Sequence, residues 1–310
     1  MKINRRKFLT NTTGIAALSF SPLALLKANH TTMPINNFKP ILLATSWGYE
    51  GSVDDFCAKA KKVGYDGIEM WWPMETQGQE ELFTALKKYD LSIGFLIGVG
   101  ETDPTKHVTA FKNMLSSLIQ NTKQKPLYVN CHSGKDYFSF EINNEIIAFT
   151  LEQAKNSGIP IQHETHRSRM LYAAPNAKLL MEKNPALRIT LDISHWCNVH
   201  ESLLHDQEET VQLALSRTDH IHARIGHAEG PQVNDPRAPE WAAEVQRHLE
   251  WWDAVVKMKI KNGASTLTFL TEFGPPNYMP TMPYTQQPLA NQWEINVYMM
   301  QLLRKRYQQA

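Results

Sequence analysis

Four short stretches in the second half of the chain hold the residues best equipped for chemistry: Gln162-His163-Glu164-Thr165-His166-Arg167, Leu191-Asp192-Ile193-Ser194-His195-Trp196, His220-Ile221-His222-Ala223-Arg224 and Leu270-Thr271-Glu272-Phe273-Gly274-Pro275-Pro276. In each, an acid or an imidazole comes at or just after an apolar run. A charged side chain at the end of a buried strand is expensive unless it is paired or binds a metal. For any one of them, Glu272 for example, an ion pair with Arg167 or Arg224 would serve. Repeated over four successive segments, the pattern would gather Glu164, Asp192, His222 and Glu272, and three carboxylates so gathered repel one another without a cation. Carboxylate oxygen together with imidazole nitrogen suits one divalent ion, Mn2+, Co2+, Mg2+ or Zn2+. Such an ion polarises a substrate carbonyl and acidifies the neighbouring C–H bond. Two carboxylates on opposite sides of the resulting enediolate could return the proton to the other face, which epimerises, or to the next carbon, which isomerises.

These groups need elements to position them. From Lys39 onward eight apolar runs, 41–47, 67–72, 91–99, 126–132, 159–163, 188–193, 220–225 and 267–272, alternate with amphipathic segments. The runs lack long stretches of polar alternation, as expected of strands buried on both faces. Ser52-Val53-Asp54-Asp55-Phe56 opens the first helix with Ser52 as N-cap and acids in the first turn, and Val63-Gly64 stops it. Further helices over about 143–156 and 240–261 stop at Ser157-Gly158 and Asn262-Gly263. Repeated helix–Gly–strand punctuation is a βα cycle. A doubly wound open sheet would carry a Gly-rich phosphate turn after its first strand, and Ala44-Thr45-Ser46-Trp47-Gly48-Tyr49 is no such turn. Polar residues instead collect at the C-terminal ends of many strands, as at a barrel mouth. The expected fold is therefore α/β, a single (β/α)8 barrel over residues 39–310 with the metal site at the C-terminal face of the strands. The loop 226–239 should overhang that mouth.

Residues 1–28 are sequence of another kind. Asn4-Arg5-Arg6-Lys7-Phe8-Leu9 is a basic start with a twin arginine, followed by an apolar stretch over about 14–26 and then Lys27-Ala28. A charged start, a short apolar stretch and a small residue at its end read as a twin-arginine-like export signal, with cleavage expected after Ala28 and the protein expected in the periplasm. No apolar run beyond it is long enough to span a membrane. The whole chain has a net charge of +1. Residues 1–28 hold five of its basic residues (Lys2, Arg5, Arg6, Lys7 and Lys27) and no acid, so the remainder carries a net charge of −4. A mildly acidic protein lacks the electrostatic footprint of a nucleic-acid binder. Cys57, Cys131 and Cys197 are odd in number and without a close pair, so no disulfide framework is expected.

By element order over essentially the whole chain beyond residue 28, and by the four motifs, the sequence resembles the sugar isomerases and epimerases of the xylose-isomerase-like barrel superfamily. The resemblance implies that Glu164, Asp192, His222 and Glu272 hold one divalent metal, and that Glu164 and Glu272 are also the acid/base pair. It implies too that His195, in Asp192-Ile193-Ser194-His195, contacts substrate or a second metal. The hydride-shift route known in that superfamily usually comes with a lysine near the site, and Lys135 is the only one at a strand end, so proton transfer is favoured.

Further polar residues are expected at the mouth as substrate-binding groups: Glu69, His132, His166, Arg167, His195, Arg224 and His227, whose hydrogen bonds suit a hydroxyl-rich ligand. Trp47, Trp71, Trp72 and Trp196 could stack on a sugar, although rim packing is the commoner role. His163 alternates with Glu164 and should point away from the mouth; His220 sits deeper in its strand and is not expected to ligate. Three departures leave the substrate open: the export signal, the loop 230–237 and the Pro-rich end of strand eight, Phe273-Gly274-Pro275-Pro276-Asn277-Tyr278-Met279-Pro280. An exported protein meets glycosides and their oxidised derivatives, and no phosphate cradle is visible. The leading reading is an exported metal-dependent sugar isomerase or epimerase with a small-molecule carbohydrate partner and no nucleic acid. A lyase acting on keto-glycosides shares its first step. A DNA-repair endonuclease with a three-zinc cluster would need more histidine ligands and a basic face. A sugar-binding barrel without catalysis would lack a ligand or an acid/base residue. Homo-oligomerisation stays open.

Overall fold

A computed structural model describes residues 38–308; the export segment expected over residues 1–28 lies outside them. Eight parallel strands close into a barrel in chain order, the last pairing with the first. They are β1 Lys39–Thr45, β2 Gly67–Trp71, β3 Ser92–Gly98, β4 Val129–His132, β5 Ile161–Glu164, β6 Ile189–Leu191, β7 Thr218–His222 and β8 Thr266–Thr271. The helices are α1 Val53–Val63, α2 Thr76–Tyr89, α3 Pro104–Asn121, α4 Phe140–Ser157, α5 Ala174–Lys183, α6 Ile193–Val199, α7 Glu208–Arg217, α8 Ala242–Lys261 and α9 Gln292–Tyr307. The α/β barrel expected from the apolar runs is thus the fold.

Local signals set most boundaries. Ser52 caps α1, its Oγ accepting from the Asp55 backbone N–H at 3.1 Å, and Gly64 ends the helix at φ 97°, a conformation that costs glycine little. The fourth helix begins earlier than its periodicity suggests because Ser139 caps it at Ile142. The run 188–193 yields only three strand residues. Its end is taken by α6, which starts at Ile193 directly after Asp192, whose Oδ1 accepts from the Ser194 N–H at 3.2 Å. The loop 226–239 docks on the end of β8: Gln232 exchanges two hydrogen bonds with the Gly274 backbone, at 2.6 and 3.2 Å.

The two faces of the barrel wall differ. Outward residues such as Leu42, Ile68, Phe95, Val129, Ile161, Leu191, Ile221 and Phe269 join the helices in one continuous apolar core. The interior has only a small apolar cluster of Leu43, Tyr128 and Leu270. Much of the rest of it is buried and polar: Glu69, Asn130, Gln162, Glu164, Thr190, His220 and His222. The strands are buried on both faces, as their lack of polar alternation suggested, but the inward face is largely polar. Because side chains alternate along a strand, one face of β2, β4, β5, β6 and β7 seals the core while the other delivers polar groups to the barrel axis. Gly94 makes this interior possible, since a Cβ there would lie 2.4 Å from the Tyr128 ring.

Candidate metal centre

Strands β5 and β7 end on, and β6 and β8 are followed directly by, one member each of a single cluster. Ligand atoms of Glu164, Asp192, His222 and Glu272 lie within 4.8 Å of one another, and all four residues are buried. His222 Nδ1 is 2.9 Å from Glu272 Oε2 and 3.6 Å from Glu164 Oε2. Glu164 Oε2 accepts from Asn130 Nδ2 at 2.6 Å and pairs with His132 Nε2 at 2.8 Å, while Glu164 Oε1 is buried with no hydrogen-bond partner among the described residues. Asp192 is held by the Ser194 backbone and hydroxyl and by the Arg224 guanidinium, which also comes within 3.5 Å of Glu272 Oε2.

The electrostatics describe a site short of positive charge. Four buried carboxylates, with Glu69 as the fourth, face one guanidinium. Burial disfavours the charged form of His222, yet Glu272, Glu164 and Glu69 hold its pKa well above the ordinary imidazole value. Burial raises the Asp192 carboxyl and Arg224 opposes it, but Glu272 and Glu164 add to the rise, which reaches about 7. For Glu164 burial is outweighed by His132 and His222, which hold it well below the usual carboxylate range. A buried group of this composition takes up protons when nothing else supplies charge. The donor set, three carboxylates and an imidazole with a free Glu164 oxygen, fits a divalent cation.

The other expected site residues fall into three groups. His132, His166 and His195 form a row along the rim, with ring centroids 4.6 and 3.9 Å apart, and burial holds His166 and His195 well below the ordinary value, so both are neutral. Arg167 and Arg224 both approach the ring of Tyr278, at 5.0 and 4.8 Å. Glu69 lies inside the barrel rather than at its rim: Tyr128 Oη donates to it at 2.8 Å, and it stands 3.5 Å from His222 Nε2 and 3.7 Å from His220 Nε2. His220 shares the inward face with His222, so Glu69, His220 and His222 make a second group able to hold a metal. His227 keeps within its own loop, its ring 4.8 Å from Trp241. His163 points away from the axis, between Ser133 and Thr150. Trp72 and Trp196 are buried in the core, whereas Trp71 is 47% exposed at the rim beside His132 and Trp47 packs edge-on to Tyr278 at 4.7 Å.

Three contributors escape the motif reading. Asn130, which bridges Glu164 and His222, was detectable as the inward neighbour of His132 two residues earlier on β4. Tyr278 lies in the irregular segment after β8, where no periodicity points to it. Arg169 follows the β5 motif by two residues and carries no strand-end signal.

No protein-family model matches the chain, and no curated protein matches it. Solved structures share its fold. A xylose isomerase-like TIM barrel protein from Mycobacterium smegmatis in complex with magnesium has a TM-score of 0.57 at 13% identity, over 86% of this chain and 97% of that one. The apo form of 3-keto-D-glucoside 4-epimerase from E. coli has a TM-score of 0.56 at 14% identity, over 86% and 100%. The probable 3-DHS dehydratase of petrobactin synthesis from Bacillus anthracis has 0.53 at 17%, over 86% and 98%. At these identities the likeness is one of fold, the (β/α)8 barrel.

Proposed function

We propose that this chain is a divalent-metal-dependent sugar isomerase or epimerase that works by proton transfer. The observation that carries the reading is the buried cluster of Glu164, Asp192, His222 and Glu272, delivered by four successive strand ends. Those four residues would hold the ion. When bound, it would polarise a substrate carbonyl and acidify the adjacent C–H bond. Glu164 is the proposed base: its pKa is held low, so it is ionised at neutral pH, and its Oε1 is unengaged while Oε2 is anchored by Asn130 and His132. Glu272, reached across the cluster through His222 Nδ1, is the proposed partner that returns the proton. Neutral His166 and His195, with Arg167, would bind substrate hydroxyls, and the rim around Trp71 would cover a sugar ring.

Elimination is a second reading. The same enediolate can expel a β-leaving group, and one fold neighbour is a probable 3-DHS dehydratase. One experiment separates the two. Protein loaded with Mn2+ is incubated in D2O with free sugars and 3-keto-glycosides and followed by NMR. Deuterium entering α to the carbonyl, with an epimer or ketose as product, is expected; an unsaturated product would mean elimination. Glu164→Gln should abolish exchange, and Asp192→Asn should lower metal content. No exchange by the loaded protein, or full metal occupancy in both variants, would count against the site.

A further inference from the structure

The rim of the barrel formed by the loops after β4 and β5 holds more positive charge than the carboxylate cluster uses. Arg224 has carboxylate partners in Asp192 and Glu272. Arg167 and Arg169 have none within 4.0 Å among the described residues. Arg167 rests on Tyr278 and makes one long hydrogen bond to Asn198 Oδ1, at 3.4 Å. Arg169 is barer still, because its Nε and Nη1 are both buried and neither has a partner among the described residues. The backbone holds it in that position: its N–H bonds the His166 carbonyl at 3.1 Å, and the next residue, Met170, bonds the Ser133 carbonyl at 3.2 Å. That second bond ties the β5 loop to the β4 loop, which carries Lys135. Lys135 has its pKa lowered by burial and then by Arg169, so the two cations feel each other.

A half-buried guanidinium with no carboxylate in contact is costly. Hydroxyl groups could satisfy its N–H donors but not its charge. Its planar fork matches a carboxylate or a phosphate through paired, charge-assisted hydrogen bonds. We propose that Arg169, with Arg167 and Lys135, is the subsite for an anionic group, a carboxylate or a phosphate, on the sugar derivative that this barrel binds; as a substrate subsite it rests on the functional reading above. The anion would sit on this wall while the carbonyl end of the same molecule faces Glu164 and Glu272.

The test is calorimetric binding at constant ionic strength, with metal-loaded and with EDTA-treated full chain. The probes are inorganic phosphate, D-glucuronate, D-glucose 6-phosphate and D-glucose. At least one anionic sugar should bind about tenfold or more tightly than D-glucose in both preparations, and which one does so tells carboxylate from phosphate. Arg169→Gln should erase that preference, and Arg169→Lys should keep part of it. The ligand-free Arg169→Gln protein should melt no lower than the wild type, because it loses an unpaired buried charge. Equal binding of all the sugars, no binding of any anion, a preference that survives Arg169→Gln, or a lower melting temperature in that variant overturns the subsite. Binding is read without turnover, so the two proposals can fail separately. An anion preference that depends on Arg169 without proton exchange would sink the isomerase reading alone. Proton exchange together with equal binding of neutral and anionic sugars, in the wild type and in Arg169→Gln alike, would sink the subsite alone.

Discussion

Loading this site with a divalent ion should displace protons, and the displacement should appear as a pH-dependent affinity. His222 is the main reason. Burial would strip its proton, but Glu272, Glu164 and Glu69 surround it and hold its pKa well above the ordinary value. Its Nδ1 is the atom that faces Glu272 and Glu164, so that nitrogen must give up its proton before it can ligate. Asp192 adds a second proton at lower pH, since burial, opposed by Arg224 and reinforced by Glu272 and Glu164, raises it to about 7. Both groups hold protons in the metal-free fold and must release them to the metal, so the sign is the same for both: affinity rises with pH. Each displaced proton tightens binding about tenfold per pH unit, or about 1.4 kcal/mol. From about pH 7 to 8 one proton is in play, and the dissociation constant should fall about tenfold. From about pH 5.5 to 6.5 two are in play, and the fall should approach about 100-fold. Titration calorimetry with Mn2+ in two buffers of different ionisation enthalpy counts the protons directly. Asp192→Asn should bind more weakly overall, with a low-pH slope reduced to that of one proton. An affinity that is flat from about pH 5.5 to 8, with no proton release, would refute the charge balance argued for the cluster.

Two further outcomes are expected. Burial pulls His163 down to about 3, against about 6.5 in an unfolded chain. The unfolded state therefore binds the extra proton, and stability should fall as pH drops from about 6.5 towards 3, by up to about 1.4 kcal/mol per pH unit. Urea unfolding at several pH values should show this slope for the wild type and a shallower one for His163→Gln; an identical slope in the variant would remove His163 from the account. The basic, twin-arginine start over residues 1–28 carries the proposal that the protein is exported. Cell fractionation should find it in the periplasm with a new N-terminus near residue 29, and replacing Arg5 and Arg6 together by lysine should keep it inside; unprocessed wild-type protein confined to the cytoplasm would end that proposal.

What could be read from the sequence, and what could not, divides along the strand period. All eight apolar runs became strands because each is apolar on its outward face, and that face contributes most of the burial energy. Glu164, Asp192, His222 and Glu272 were legible because each interrupts or ends such a run with a charge that needs a partner. His220 was harder to place. Two residues before His222 it shares the same inward face, yet depth along the strand suggested that it stood apart from the metal chemistry. In the structure its Nε2 is buried without a hydrogen-bond partner among the described residues, 3.7 Å from Glu69 Oε2. Depth along the strand does not separate it from polar neighbours, because the polar layer continues down the axis through Glu69 and Tyr128.

Loops gave no comparable signal, because their side chains point where tertiary contacts send them. His227 opens a loop directly after β7 and was expected at the mouth, but the Gln232–Gly274 hydrogen bonds pull that loop onto β8, and His227 turns to Trp241. Tyr278, in a stretch that reads only as Pro-rich, comes back over the cluster and meets Trp47, Arg167 and Arg224. The strands therefore determine which chemistry the barrel can hold, and the loops determine what it can hold it for. The same division runs through the two proposals. The carboxylate–imidazole cluster belongs to the strand ends and was visible as a pattern; the guanidinium of Arg169 belongs to a loop, and only its buried Nε and Nη1, without a partner among the described residues, mark it as a group awaiting a ligand.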